Sequence, residues 1–285
     1  MIVAGENKRK AYREQGWWGD KTLADLFEAN AQAHPVRMAL IDAPNRGDFA
    51  FGTPQRLTYS EMRAEVRRLA GALVLAGVGK DDVVMIQLPN ISEFVALYFA
   101  AATIGAIVSP VAVQYRSHEL AGMIALVRPR AFVCATRMRG ADHVGVVTPL
   151  LGETRLMTFG PDTPPHALDL STAPGDDAAL DSHRAAHPVN ADDVFTICWT
   201  SGTTGTPKGV PRSHNHTVAI SPGTYTTARL GDGAVLLNPF ALINIASIGG
   251  ITMSWLRTAG TMVLHHPFDA AIFLRQIAEE RPDFT

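Results

Sequence analysis

Apolar and polar positions follow two rhythms along the chain. Short apolar runs bounded by glycine, proline or asparagine alternate with longer stretches in which apolar residues recur every three or four positions. The first rhythm predicts buried strands and the second predicts helices. Strands are expected at Met38–Asp42, Arg56–Tyr59, Asp82–Leu88, after Gly105 to Val108, Ala131–Cys134, Val194–Trp199, Ala234–Leu237 and Thr261–Leu264. Helices are expected from Thr22 to Asn30, from Ser60 to about Ala76, from near Ile91 to Ile104, from His118 to Val127, from Ile245 to Thr258, and from Phe268-Asp269 to Arg281-Pro282. Gly77 and Gly79 stop the second of these, and Pro89-Asn90 turns the chain into the third. Residues 1–20, with the pair Trp17-Trp18, read as a polar arm that packs on a domain.

Strands alternating with helices of 10–15 residues imply an α/β fold with mainly parallel sheets. The expected organisation is two such subdomains flanked by helices, the second truncated at the C-terminus. Residues 1–160 form the first, 161–190 a surface connection, and 191–285 the start of the second. The connection is rich in Pro, Asp, Ala and His and poor in large apolar residues. Its histidines, His166, His183 and His187, are read as solvated loop positions without helical pairing. At the far end, Asp283-Phe284-Thr285 looks like a parallel strand only begun, so the chain is expected to be part of a longer protein.

Composition narrows the classes. The 285 residues, 47% of them hydrophobic, can bury a large core, and the net charge of −2 excludes general disorder. Near-neutral charge argues against nucleic-acid binding. Cys134 and Cys198 have no CxxC partner and read as buried thiols rather than zinc ligands or a disulfide. The N-terminus lacks the apolar core of a signal peptide. Phe94–Val113 is almost free of charge, but Gly105 and Ser109-Pro110 split it, which predicts a buried helix and strand rather than a membrane span. A cytoplasmic protein is expected.

The chemistry is concentrated after the strand ending at Trp199. Residues 199–210 read Trp-Thr-Ser-Gly-Thr-Thr-Gly-Thr-Pro-Lys-Gly-Val. Glycines let backbone N–H groups close on an anion, the hydroxyls donate further hydrogen bonds, and Lys208 adds a positive charge. That grouping predicts a polyphosphate-binding loop. It is not a Walker loop, because Pro207 stands where that motif needs glycine. Candidate nucleotide-binding residues are Thr200, Ser201, Gly202, Thr203, Thr204, Gly205 and Lys208.

This string resembles, almost letter for letter, the phosphate-binding signature of the adenylate-forming superfamily of acyl- and aryl-CoA ligases, peptide-synthetase adenylation domains and luciferases. Leu57–Met62, Gly105–Glu119 and Pro211-Arg-Ser-His-Asn215 are similar to further segments of that family, and the similarity runs from about Gly16 to Thr285. The resemblance implies a two-step reaction with ATP, Mg2+ and CoA. A carboxylate attacks the α-phosphorus of ATP, and a thiol then displaces AMP from the acyl-adenylate, with no covalent enzyme intermediate. It implies that the loop at Thr200–Lys208 holds the β- and γ-phosphates. It also implies that the Thr-Glu pair, the ribose-binding aspartate, the hinge and the C-terminal lysine of the family lie beyond Thr285. No catalytic residue is therefore assigned in this chain, which is expected to bind a phosphate tail weakly and not to complete catalysis alone.

The match breaks after the strand Ala234–Leu237. Where family members carry a histidine beside the acid, this chain has Leu242 and Ile243. Phe240, Leu242, Ile243 and Asn244 are the candidate acid-pocket residues. An apolar wall there implies an aliphatic or alicyclic acid, as in fatty acid metabolism, since a buried polar substituent would lack a partner. Plain core roles for Leu242 and Ile243 remain equally open. His214, His216, His265 and His266 are read as packing and capping residues, with no metal assigned and His214 supporting the loop. Two other readings stay in view: an aryl-acid ligase that loads a carrier-protein thiol, and a non-catalytic binding module that uses an open sheet edge.

Overall fold

Alternation along the strands decides which layer each side chain joins. In a computed structural model that describes residues 1–200 and 207–285, Val84 and Ile86 face one side of their strand and Met85 the other. Ala131, Val133 and Ala135 face the first side, and Phe132 and Cys134 the second. These strands belong to a seven-stranded sheet of order Lys208–Ser213, Val194–Thr200, Ile107–Pro110, Val83–Gln87, Ala131–Ala135, Arg155–Phe159, Leu168–Asp169. All neighbours are parallel except the first pair, which is an antiparallel hairpin.

A second sheet holds four strands in the order Val235–Asn238, Thr261–Leu264, Met38–Ile41, Arg56–Thr58. Its first three are parallel and the last is antiparallel. Leu40, Leu236, Met262 and Leu264 face the main core, while Ile41, Leu237 and Val263 meet Phe273 of the helix Ala270–Glu280. Between the two sheets lie the helices Leu23–Ala33, Tyr59–Leu75 and Ser92–Ile104, whose apolar residues join both sheets in one cluster. The helices Ser117–Val127 and His143–Val147 cover the outer face of the larger sheet. The chain is thus α/β, with mixed and parallel sheets in five alternating layers.

The uncharged stretch after Phe94 resolves as the split predicted. Ser92–Ile104 is a helix apolar on every side, as a fully enclosed helix must be. Gly105, at φ +75°, ends it in the left-handed region, and Ile107–Pro110 follows as a central strand. No helix among the described residues is long and apolar enough to cross a membrane.

Three expectations need correction. The boundary at 161–190 does not separate the sheets, because each sheet takes strands from both sides of it. Nor is that stretch only a surface connection. Leu168–Asp169 forms a sheet edge, and the helix Asp177–Ala186 packs against Tyr59–Leu75 with Leu170 and Leu180 fully buried. His183 and His187 stand one helical turn apart, four residues along, with ring centroids 4.8 Å from each other. The predicted helix Ile245–Thr258 is not uniform either: Ala246–Thr252 is π-helical and only Met253–Thr258 is α-helical.

The N-terminal arm packs as expected, and its partner is the segment around the hairpin base. Helix Glu6–Glu14 places Arg9 and Arg13 on the buried Asp192. Asn215 exchanges two hydrogen bonds with the backbone of Gly19, and Trp18 sets its edge against His216.

Candidate active site

Strand direction puts Thr200 at the carboxyl end of the large sheet. Val194–Thr200 runs parallel to Ile107–Pro110 and Val83–Gln87, so the segment after Thr200 leaves from the carboxyl ends of the large sheet. In open α/β sheets that side is where ligands bind. Two side chains fix the strand. Thr196 Oγ1 donates to the Val108 carbonyl at 2.9 Å, and Trp199 Nε1 donates to Ser109 Oγ at 2.9 Å.

Thr200 and Lys208 sit directly opposite each other at the hairpin mouth, both exposed. Thr200 Oγ1 donates to the Lys208 carbonyl at 3.4 Å. Gly209 is required just behind the mouth, since a Cβ there would fall 2.8 Å from Ile197 Cγ2. Ser201, Gly202, Thr203, Thr204 and Gly205 lie outside the described residues.

The hairpin base is rigid and uncharged at its histidine. Ser213 caps the short helix His214–Val218 and bonds His216 Nδ1 at 2.8 Å. His214 Nδ1 accepts from the Leu23 backbone at 3.2 Å, and burial lowers its pKa to about 4. His214 is therefore a neutral strut between the hairpin and the helix Leu23–Ala33. His265 does similar work in the other sheet: Nδ1 meets Gln276 Oε1 at 2.6 Å and Nε2 accepts from the Asp269 backbone at 3.1 Å. Among the described residues, no three His, Cys, Asp or Glu side chains converge on a metal position.

The acid-side candidates divide by depth. Phe240 is 45% exposed, Asn244 is exposed and Ile243 is half-buried. Leu242, only 1% exposed, faces inward toward Val95, Tyr98, Phe195 and Ile248 around an apolar void of about 10 Å³. That space holds no more than one water molecule, so Leu242 takes the plain core role here. Asn244 Oδ1 accepts from the Ser247 backbone at 3.0 Å and so caps the π-helical turn.

Two asparagines that periodicity did not single out organise this loop. Asn238, fully buried at the end of its strand, donates to Ser247 Oγ at 2.8 Å and accepts from the Phe240 backbone at 3.2 Å. Asn90, also buried, reaches across from the other sheet to the same loop. An asparagine in a turn ordinarily bonds its own backbone, so its sequence position gave no signal of a distant partner.

Comparison with known proteins agrees with this geometry. The profile of the AMP-binding enzyme family matches residues 27–285. The medium-chain fatty-acid–CoA ligase of Escherichia coli is 29% identical over 271 residues, covering 92% of this chain and 45% of that protein. Pyochelin synthase PchD of Pseudomonas aeruginosa is 32% identical over 209 residues, covering 72% of this chain and 35% of that protein. The chain spans about half the length, or less, of these curated relatives. Among solved structures, apo MbtA of Mycobacterium smegmatis superposes with a TM-score of 0.80 at 22% identity, over 98% of this chain and 50% of that one. At that identity the likeness speaks for the fold.

Proposed function

This chain belongs to the AMP-binding enzyme family, and on that premise we propose that it serves an acid–thiol ligase that activates a hydrophobic carboxylic acid as its adenylate and passes the acyl group to CoA. The observation that supports this reading is that both loops leave the carboxyl ends of strands and are tied to the large sheet. The mouth formed by Thr200 and Lys208 lies at the carboxyl end of the large sheet, and the loop that presents Phe240 and Ile243 is bonded to that same sheet through Asn90, just after Gln87. Acid and nucleotide must approach each other there, because a carboxylate oxygen has to reach the α-phosphorus in line with departing pyrophosphate.

Negative charge gathers in that step, so its main requirement is electrostatic. Lys208 provides a fixed cation for the leaving phosphates, and the hydroxyls and amides of residues 200–206 provide donors. Magnesium bound to ATP would neutralise further charge. Phe240 and Ile243 offer apolar surface to an acid, which supports an aliphatic or alicyclic one.

A second reading has its own support. Pro211-Arg-Ser-His-Asn215 and the match to PchD favour an aryl acid delivered to a carrier-protein thiol. The test is acid-dependent exchange of labelled pyrophosphate into ATP by the protein that carries this chain, across a panel of aliphatic, alicyclic and aryl acids. Exchange with medium-length or cyclic apolar acids, and product formation with CoA, supports the first reading. Aryl-acid exchange with transfer only to a phosphopantetheinyl carrier supports the second. No exchange with any acid overturns both.

A further inference from the structure

We infer that Asn90 is the positioning residue of the acid-side loop, holding it in place from the opposite sheet. This inference rests on the functional reading above. Asn90 follows the strand Val83–Gln87 of the large sheet by three residues and is 2% exposed. All of its side-chain bonds go to backbone belonging to the other sheet. Nδ2 donates to the Phe240 carbonyl at 2.8 Å and to the His265 carbonyl at 3.2 Å. Oδ1 accepts from the Leu242 backbone N–H at 2.9 Å.

One amide therefore ties together the segments that leave Val235–Asn238 and Thr261–Leu264, and binds both to the large sheet. The grip on Phe240 and Leu242 flanks Ala241 and sets the direction in which Phe240 projects. Tyr98 adds a single further bond, from its hydroxyl to the Leu242 carbonyl at 2.8 Å. The chemistry requires an amide of this length. An aspartate could accept from Leu242 but would set a carboxylate against two carbonyls, and alanine would take the side-chain partner from three backbone groups, two of them buried. The consequence is functional: the direction in which Phe240 meets an acid is set by a buried residue that does not itself line the surface.

The test compares the wild-type protein with Asn90→Ala and the gentler Tyr98→Phe, which keeps the ring and removes one hydroxyl. In acid-dependent pyrophosphate exchange, Asn90→Ala should raise the KM for the acid at least tenfold while the KM for ATP stays within twofold. Tyr98→Phe should move the same parameter in the same direction by a smaller factor. Amide hydrogen exchange supplies a second readout that needs no activity. The Leu242 N–H should exchange at least tenfold faster in Asn90→Ala, with the amides of Val84–Gln87 unchanged. Equal rises in both KM values, or unchanged exchange at Leu242, would overturn the inference, and a collapsed Asn90→Ala protein leaves Tyr98→Phe to decide it. If the wild type shows no acid-dependent exchange, the functional reading fails and takes the claim about the acid with it. A faster Leu242 amide in the variant would then identify Asn90 as a structural tie alone.

Discussion

The two loops proposed to hold nucleotide and acid are built on opposite plans. The proposed nucleotide donors and cation come from one unbroken run, Thr200 to Lys208, whose two ends pair in an antiparallel hairpin. On the acid side, residues 239–244 rely on anchors supplied from elsewhere: Asn90 and Tyr98 from the large sheet and its helix, and Ser247 from the next turn. A function lodged in consecutive backbone announces itself in residue order. A surface held by a buried amide some 150 positions away (240 − 90) does not.

Four perturbations sharpen this contrast, beginning with the sheet that carries the acid-side loop. Gly260→Ala would place a Cβ 2.0 Å from the Ala234 backbone carbonyl oxygen and 2.7 Å from the buried Thr258 hydroxyl. Overpacking of this kind should cost about 3 kcal/mol or more in denaturant unfolding. A loss below about 0.5 kcal/mol would mean that the two segments are not in close contact.

Acid should act next, at the hairpin base. The unfolded His214 takes up a proton near its ordinary pKa of 6.5, whereas the buried ring resists until about 4. Stability is therefore complete above that window and falls as pH drops through it, by at most about 3 kcal/mol from this residue. His214→Asn, which can still accept from the Leu23 N–H, should make the decline visibly shallower in melting temperatures measured from pH 7 to pH 4. An identical slope would remove His214 from the account.

Lys208→Ala should spare the fold and weaken ATP use by roughly 1–3 kcal/mol, the range for a charged hydrogen bond. Its signature is the mirror image of Asn90→Ala: the KM for ATP rises and that for the acid holds. Unchanged ATP kinetics would mean that the ammonium points elsewhere. The smallest effect is expected from Arg13→Gln in the arm, because Arg9 and Asn215 still reach Asp192. A partly exposed ion pair should contribute under about 1 kcal/mol and fade in high salt.

Residue order disclosed the elements better than their assembly. The buried strand Val83–Gln87 and the helix Ser92–Ile104 followed from apolar runs and from Gly105, because local periodicity reports local conformation. Pairing is a different matter. Met38–Ile41 lies beside Thr261–Leu264, more than two hundred positions away, and no pattern within either strand names the other. The same limit put the sheet boundary at residues 161–190, where a sparse apolar content concealed Leu170 and Leu180 in the core. Of the candidate site, the strand that ends beside Thr200 could be read from its apolar run, but the returning strand Lys208–Ser213 that sets Lys208 opposite could not, since its Gly, Pro, Arg and Ser give no strand pattern. The inward turn of Leu242 could not, since an apolar residue in a loop reads equally well as pocket wall or as core.

The helix Ser92–Ile104 has one more implication. Lying between two sheets, it has no outside face. Only Glu93 and Thr103 escape full enclosure. Random mutagenesis should find nearly every other position closed to polar replacements, while the helix Ala270–Glu280, with Leu274 64% exposed, should accept them freely along one side. Sequence drift in this protein should thus be slowest at its geometric centre, in a segment that reaches neither loop's ligand.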